Sequence, residues 1–215
     1  GGDLLVDAQR SGELITISAG GSIATGTGGK AIAGSVSINL IFNETEAQNG
    51  VAHFLEHMSF NGSTHFPPGT LVEQLAELGM EFGADSNAHT SFDETVYKLT
   101  MPGNSDELIE TAMTVLGDFA NGLLLQDIEI DHERGVIMEE KRSRAGKQIR
   151  IQEQMMPWMF EGSVLETHNL IGTDEVIQTA PRKALKELWD TWYRPAPLTL
   201  VAAGDIDPET VAQMA

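Results

Sequence analysis

His53, Glu56 and His57 stand in the order H-x-x-E-H within the run His53-Phe54-Leu55-Glu56-His57. Around them Val51, Phe54, Leu55 and Met58 recur at three- and four-residue steps, which predicts a helix from Gly50 to about Phe60. At about 100° per residue, positions 0, 3 and 4 fall at 0°, about 300° and about 40°, so the three side chains share one face. Two imidazoles one turn apart can converge on a single tetrahedral ion. A carboxylate on the same face can accept a proton from water that the metal acidifies to a pKa of about 7, without being a ligand itself. Three fixed residues in five is a short pattern. The competing reading is a solvated helix face that carries two rings and an acid by chance.

A catalytic metal site needs a third protein ligand and one open position. The chain has no cysteine, so thiolate ligands and disulfides are both excluded, and the third ligand must be His, Asp, Glu or a backbone oxygen. The segment Glu133-Arg134-Gly135-Val136-Ile137-Met138-Glu139-Glu140 stands out. Glu133 and Glu140 are two helical turns apart, on one face about 10.5 Å long. One can bind metal while the other orients a ligand or a water. The plain alternative is an acidic, solvated helix face.

The elements that must position these residues are legible in outline. Residues 13–18 and 35–42 alternate and carry β-branched residues, which predicts strands. The glycine-rich connection between them, Gly20 to Gly34, contains Gly29-Lys30. A phosphate loop would need Gly where Ala24 stands and Ser or Thr where Ala31 stands, so it reads as a flexible, hairpin-like connection. After Pro67-Pro68-Gly69, Thr70 is expected to cap a helix to about Leu78, with Glu73 in capping-box position. Residues 86–101 have strand character. Ser105 or Asp106 is expected to cap a helix to about Gly122. A further helix runs from Ile128 to about Met156, punctuated by Gly135 and Gly146, and another from Lys183 to Trp192 is opened by Pro181. Leu198 to Ala203 is a short apolar strand. Strands and helices mix without strict alternation, which predicts an α+β fold.

Composition sets the outer bounds. With 215 residues, 41% of them apolar, the chain has enough core to fold without staples. A formal charge of −19 argues against nucleic acid as a partner. The acids are spread along the chain and read as a solvated surface, with a preference for cationic substrates or a saline habitat as the sharper alternative. No run of about 18 apolar residues spans a membrane, and Gly1-Gly2-Asp3 does not open a signal peptide. Asn43-Glu44-Thr45 and Asn61-Gly62-Ser63 fit the glycosylation pattern, which is too common to carry weight.

Several longer blocks run in register over residues 50 to 210. They are His53 to Gly62 (HFLEHMSFNG), Phe82 to Ser91 (FGADSNAHTS), Asp93 to Tyr97 (DETVY), and Glu133 to Glu140 (ERGVIMEE). Ile171-Gly172-Thr173, Trp192-Tyr193-Arg194-Pro195 and Gly204 to Pro208 (GDIDP) follow. On these blocks the sequence resembles the pitrilysin (insulinase) family of zinc peptidases, which carry the inverted H-x-x-E-H motif, and within it the bacterial PqqL-type branch. The resemblance implies an α+β fold with a mostly antiparallel sheet packed against several helices. It implies Zn2+ held by His53, His57 and Glu140, with Glu56 as general base and Glu133 as the supporting carboxylate. It implies that the segment Asn87-Ala88-His89-Thr90 is an edge strand to which substrate peptide adds by main-chain pairing, through Asn87 and Ala88. His89 is read there as facing the substrate strand, and His65, His132 and His168 as surface or structural.

The resemblance also implies limits. The family's usual Leu-Pro-Asn-Gly-Leu opening is replaced by the glycine-rich stretch. Residues 1–215 are expected to form one N-terminal zinc-binding peptidase domain. The second, similar domain or subunit that closes the family's chamber lies outside them, so the chain is expected to be a fragment or one subunit of a two-part enzyme. The leading expectation is a zinc endopeptidase acting on peptides or small unfolded proteins, periplasmic or secreted. The alternative is a non-catalytic, peptide-binding or partner subunit of the same fold.

Overall fold

A computed structural model describes residues 4–10, 13–19, 32–39, 48–194 and 198–215. Among these residues six strands form one sheet in the order β1-β2-β6-β3-β5-β4: β1 Leu4–Arg10, β2 Glu13–Ala19, β3 Ile32–Asn39, β4 Ser86–Thr90, β5 Glu94–Met101 and β6 Leu198–Ala203. Every neighbouring pair is antiparallel except β2 with β6. Among the described residues eight α-helices accompany it: α1 Val51–Met58, α2 Leu71–Glu77, α3 Asp106–Asn121, α4 Asp127–Arg144, α5 Lys147–Met159, α6 Asp174–Thr179, α7 Arg182–Trp192 and α8 Pro208–Met214. This is the expected α+β architecture with a mostly antiparallel sheet.

The expected strand at 13–18 is β2. The expected strand at 35–42 begins earlier, at Ile32, and its last three residues lie outside the described ones, as do residues 20–31 of the glycine-rich connection and Asn43. The strand character of 86–101 resolves into β4 and β5, paired from Ser86↔Leu99 to Thr90↔Thr95 around a short turn. Ser105 caps α3 by accepting from the Leu108 amide. Thr70 stands at the N-cap of α2 as expected, but its side chain does not cap the helix: the hydroxyl instead donates to the Pro67 carbonyl at 2.8 Å. The single helix expected from Ile128 to Met156 is two helices, broken at Ala145-Gly146. The isolated sequence leaves β1, α6 and α8 unannounced, because short elements show too few periods to register.

The core surrounds α1. Of its eight residues only His57 is not buried. It packs against α4, α6, α7, β4 and β5. Phe54, Leu55 and Met58 join Tyr97, Leu99, Val115, Phe119, Ile137 and Leu185 in one apolar cluster. Burying each such side chain contributes about 1.5–3 kcal/mol. That burial, and not helix propensity, holds so short a helix together.

Two glycines set the entry of α1. Gly50 precedes the helix with φ +94°, and a Cβ there would lie 2.2 Å from the Gly172 Cα; Gly172 itself has φ +96°. Both conformations are open to glycine and strained for other residues. The crossing is secured by Asn49, whose side chain accepts from the Asn169 amide at 2.7 Å and donates to the Thr167 carbonyl at 2.6 Å. On the opposite flank Arg134 of α4 donates to the carbonyls of Ile177 (2.7 Å) and Ala180 (2.8 Å) at the end of α6, and its guanidinium lies over the Phe54 ring.

Candidate metal centre

The α1 face carries His53, Glu56 and His57 toward α4. On α4, Ile130 and Ile137 form the buried seam. Glu133 and Glu140 each follow one of these by three residues, so the apolar seam turns both carboxylates toward α1. Among the described residues, the group that could hold a metal ion is His53, His57 and Glu140, with one ligand atom from each lying within 4.8 Å of the others.

The contacts divide the two carboxylates. Glu140 Oε2 lies 3.1 Å from His57 Nε2 and 3.5 Å from His53 Nε2. Although buried, it makes no hydrogen bond. Glu133 Oε1 is 2.7 Å from the other nitrogen of His57, Nδ1, and Glu133 Oε2 accepts from the Asn61 amide at 2.7 Å. With Glu133 as acceptor, Nδ1 of the neutral ring carries the hydrogen, and Nε2 turns a lone pair toward Glu140. A lone pair facing a carboxylate oxygen across 3.1 Å calls for a positive charge between them. The donor set therefore fits a tetrahedral cation with a fourth position left open.

Electrostatics agree with that reading for His53, and at His57 they set a proton in competition with the metal. Burial lowers the His53 pKa to about 3, helped by His57 and Arg144, so the ring is neutral and able to ligate. For His57 burial is the largest influence and opposes charge, but the hydrogen bond to Glu133 and the carboxylates of Glu133, Glu140 and Glu56 outweigh it and raise the pKa. Glu56 is raised by burial, against the opposing effects of the Thr90 hydrogen bond and His57. A buried carboxylate with a raised pKa holds a proton more readily than an exposed one, which is what a general base at neutral pH requires.

The cleft over these groups, about 540 Å³, is also lined by Asn87, Ala88, His89 and Thr90 of β4. β4 is the last strand of the sheet. Its Ala88 amide donates to Asn87 Oδ1 at 2.8 Å, and the Asn87 amide to the Gly83 carbonyl at 3.1 Å. His89 is exposed beside the cleft and stands outside the metal-competent group. His65 is paired with Asp118 and His132 with Glu129, and His168 lies against Phe92.

Three residues here went unassigned in the sequence. Thr90 donates to Glu56 Oε2 at 2.5 Å. Asn61 holds Glu133. Arg144, one turn beyond Glu140, pairs with Glu140 Oε1. Only the i,i+4 spacing of Glu140 and Arg144 offered a sequence signal; the other two contacts join segments 34 and 72 residues apart.

Fold and site together define an α+β domain that can gather one metal ion beside a buried carboxylate and a sheet edge. A family model described as insulinase (peptidase family M16) matches residues 41–172, and the chain belongs to that family. The "Probable zinc protease PqqL" of Haemophilus influenzae is 34% identical over 184 residues, 83% of this chain and 20% of that protein. Its Escherichia coli namesake is 33% identical over 164 residues, 76% and 18% respectively. The crystal structure of the periplasmic protease PqqL from Escherichia coli superposes with a TM-score of 0.89 at 28% identity, covering 98% of this chain and 23% of that one. The chain thus spans about a fifth of the length of the curated PqqL relatives it matches. The metal-competent cluster and the zinc proteases among the relatives agree on the cofactor expected from the sequence, zinc.

Proposed function

We propose that this chain carries the zinc centre of an endopeptidase, with His53, His57 and Glu140 as the metal ligands and Glu56 as the general base. The observation that carries it is the convergence of three ligand atoms within 4.8 Å of one another, with the buried Glu56 on the same helix face. When bound, zinc supplies Lewis acidity toward the peptide carbonyl and the attacking water. The protein's own residues do the rest. Glu56 takes the proton of the attacking water and returns it to the leaving nitrogen. Glu133 fixes the tautomer and tilt of His57. Residues Asn87 and Ala88 on the edge strand align an extended substrate by main-chain pairing; for the Ala88 amide this requires release of the Asn87 Oδ1 contact.

Substrates of this reading are peptides or small unfolded proteins that can enter as a strand. The lengths of the relatives, and the PqqL first-half structure of which this chain covers 44%, support a second domain or subunit of the same family as the partner that closes the chamber. The Escherichia coli PqqL described as periplasmic supports a periplasmic or secreted setting. Among the described residues no helix is long and apolar enough to cross a membrane. Glu56→Gln is the test. It should keep one zinc per chain and lower peptide cleavage about 10²–10⁴-fold, and undiminished cleavage in that variant overturns the assignment.

A further inference from the structure

Glu56 is the start of a chain of hydroxyls, buried beyond the half-buried Thr90, that the zinc site does not itself require. Glu56 Oε2 accepts from Thr90 Oγ1 at 2.5 Å, and Thr90 Oγ1 lies 3.2 Å from Thr95 Oγ1. Tyr193 is the next hydroxyl along, and the Thr95 side chain is among its polar neighbours, opposing the rise in pKa that burial gives the phenol. Tyr193 and Tyr97 join through their hydroxyls at 2.7 Å, and Tyr97 meets Ser59 Oγ at 2.8 Å. Ser59 donates to the Leu55 carbonyl at 3.0 Å. The path thus leaves α1 at the Glu56 side chain, crosses β4, β5 and the end of α7, and returns to α1 at the residue before Glu56.

We propose that the hydroxyls of Thr90, Thr95, Tyr193, Tyr97 and Ser59 form one closed positioning loop that holds the Glu56 carboxylate in its working orientation, with Tyr193 as the remote anchor. This rests on reading Glu56 as the base. Thr95, Tyr97, Tyr193 and Ser59 are all buried. Valine and phenylalanine would fill nearly the same space without any need for partners, whereas each buried hydroxyl must find one.

Both ends of the loop are acceptors, the Glu56 carboxylate taking the Thr90 hydrogen and the Leu55 carbonyl the Ser59 hydrogen. The hydroxyls between them can each donate as well as accept, and they settle by rotation with no heavy-atom movement.

The test uses Tyr193→Phe, Thr90→Val and Thr90→Ser in the zinc-loaded protein, with crystal structures of each. Tyr193→Phe should lower kcat about tenfold and Thr90→Val about a hundredfold, with KM within about twofold and zinc content unchanged. Thr90→Ser should restore kcat to within about twofold. In the crystals Glu56 should keep one orientation in the parent and in Thr90→Ser, and rotate or split in the other two. In a Glu56→Gln background, Tyr193→Phe should cost nothing further. Parental kcat together with an unmoved Glu56 in Tyr193→Phe overturns the loop, as does an equal further loss in the Glu56→Gln background. Full activity of Glu56→Gln alone would instead overturn the base assignment, and the crystallographic orientation of Glu56 would still decide the loop.

Discussion

Glu133 and Glu140 hold opposite nitrogens of the same ring: Glu133 Oε1 is 2.7 Å from His57 Nδ1, and Glu140 Oε2 is 3.1 Å from His57 Nε2. The spacing on α4 makes the two carboxylates equivalent, but the ring between them does not. Glu140→Gln should weaken zinc binding by a factor of 10³ or more, because on the proposed assignment it removes a ligand and leaves two neutral rings. Glu133→Gln should weaken it about 10- to 100-fold, the usual cost of losing an outer partner of a ligating histidine. Competition with a chelator of known affinity measures both, and the reverse ranking would exchange the roles.

The same ring sets the pH range of metal binding. His53, with its pKa lowered to about 3, is neutral at every pH of interest and has no proton to release. His57 has a raised pKa in the metal-free protein, and its proton competes with zinc. Affinity should therefore be level above that raised pKa and fall as the pH drops through it, by about tenfold per pH unit, with one proton released per zinc. Calorimetry in buffers of different ionisation enthalpy counts that proton, and release of two would implicate a second ligand.

Arg134 stands next to Glu133 in sequence but serves α6. Its two terminal nitrogens reach two carbonyls at 2.7 and 2.8 Å. Lysine keeps the charge but not the fork, so Arg134→Lys should cost about 1–3 kcal/mol of stability with zinc stoichiometry unchanged. Chemical denaturation decides it, and a variant of parental stability would show the fork to be dispensable.

Gly50→Ala should be more damaging than its size suggests. The added Cβ meets a backbone atom at 2.2 Å, and the φ of +94° is unfavourable for alanine. Strain and overpacking together predict a loss of about 3 kcal/mol. Because Gly50 introduces α1, zinc affinity should fall with it. An alanine variant with the parent's unfolding midpoint would mean that the crossing with Gly172 relaxes freely.

The sequence by itself determined a good deal. The H-x-x-E-H spacing put two rings and a carboxylate on one helical face, because the helical repeat is fixed by backbone geometry. The absence of cysteine restricted the remaining ligand to a handful of residue types, and the blocks from His53 to Pro208 carried the family and with it the α+β fold. Most elements followed from local periodicity and caps, such as Ser105 before α3 and Pro181 before α7. Of the two glycines marked in the long helix, only Gly146 breaks it, and the missing side-chain cap at Thr70 was not legible, since it depends on which neighbour reaches the hydroxyl first.

What tertiary structure alone decided is how the acids divide their contacts. Glu133 and Glu140 sit on one helical face, so local geometry leaves them interchangeable. Only the docking of α4 against α1 places one beside Nδ1 and the other beside Nε2. Likewise Thr90, Thr95 and Tyr193 are ordinary strand and helix-end residues until the sheet and α7 close around Glu56. Both distinctions are made by contacts a few ångströms long between segments distant along the chain, and such contacts have no period for a sequence to display.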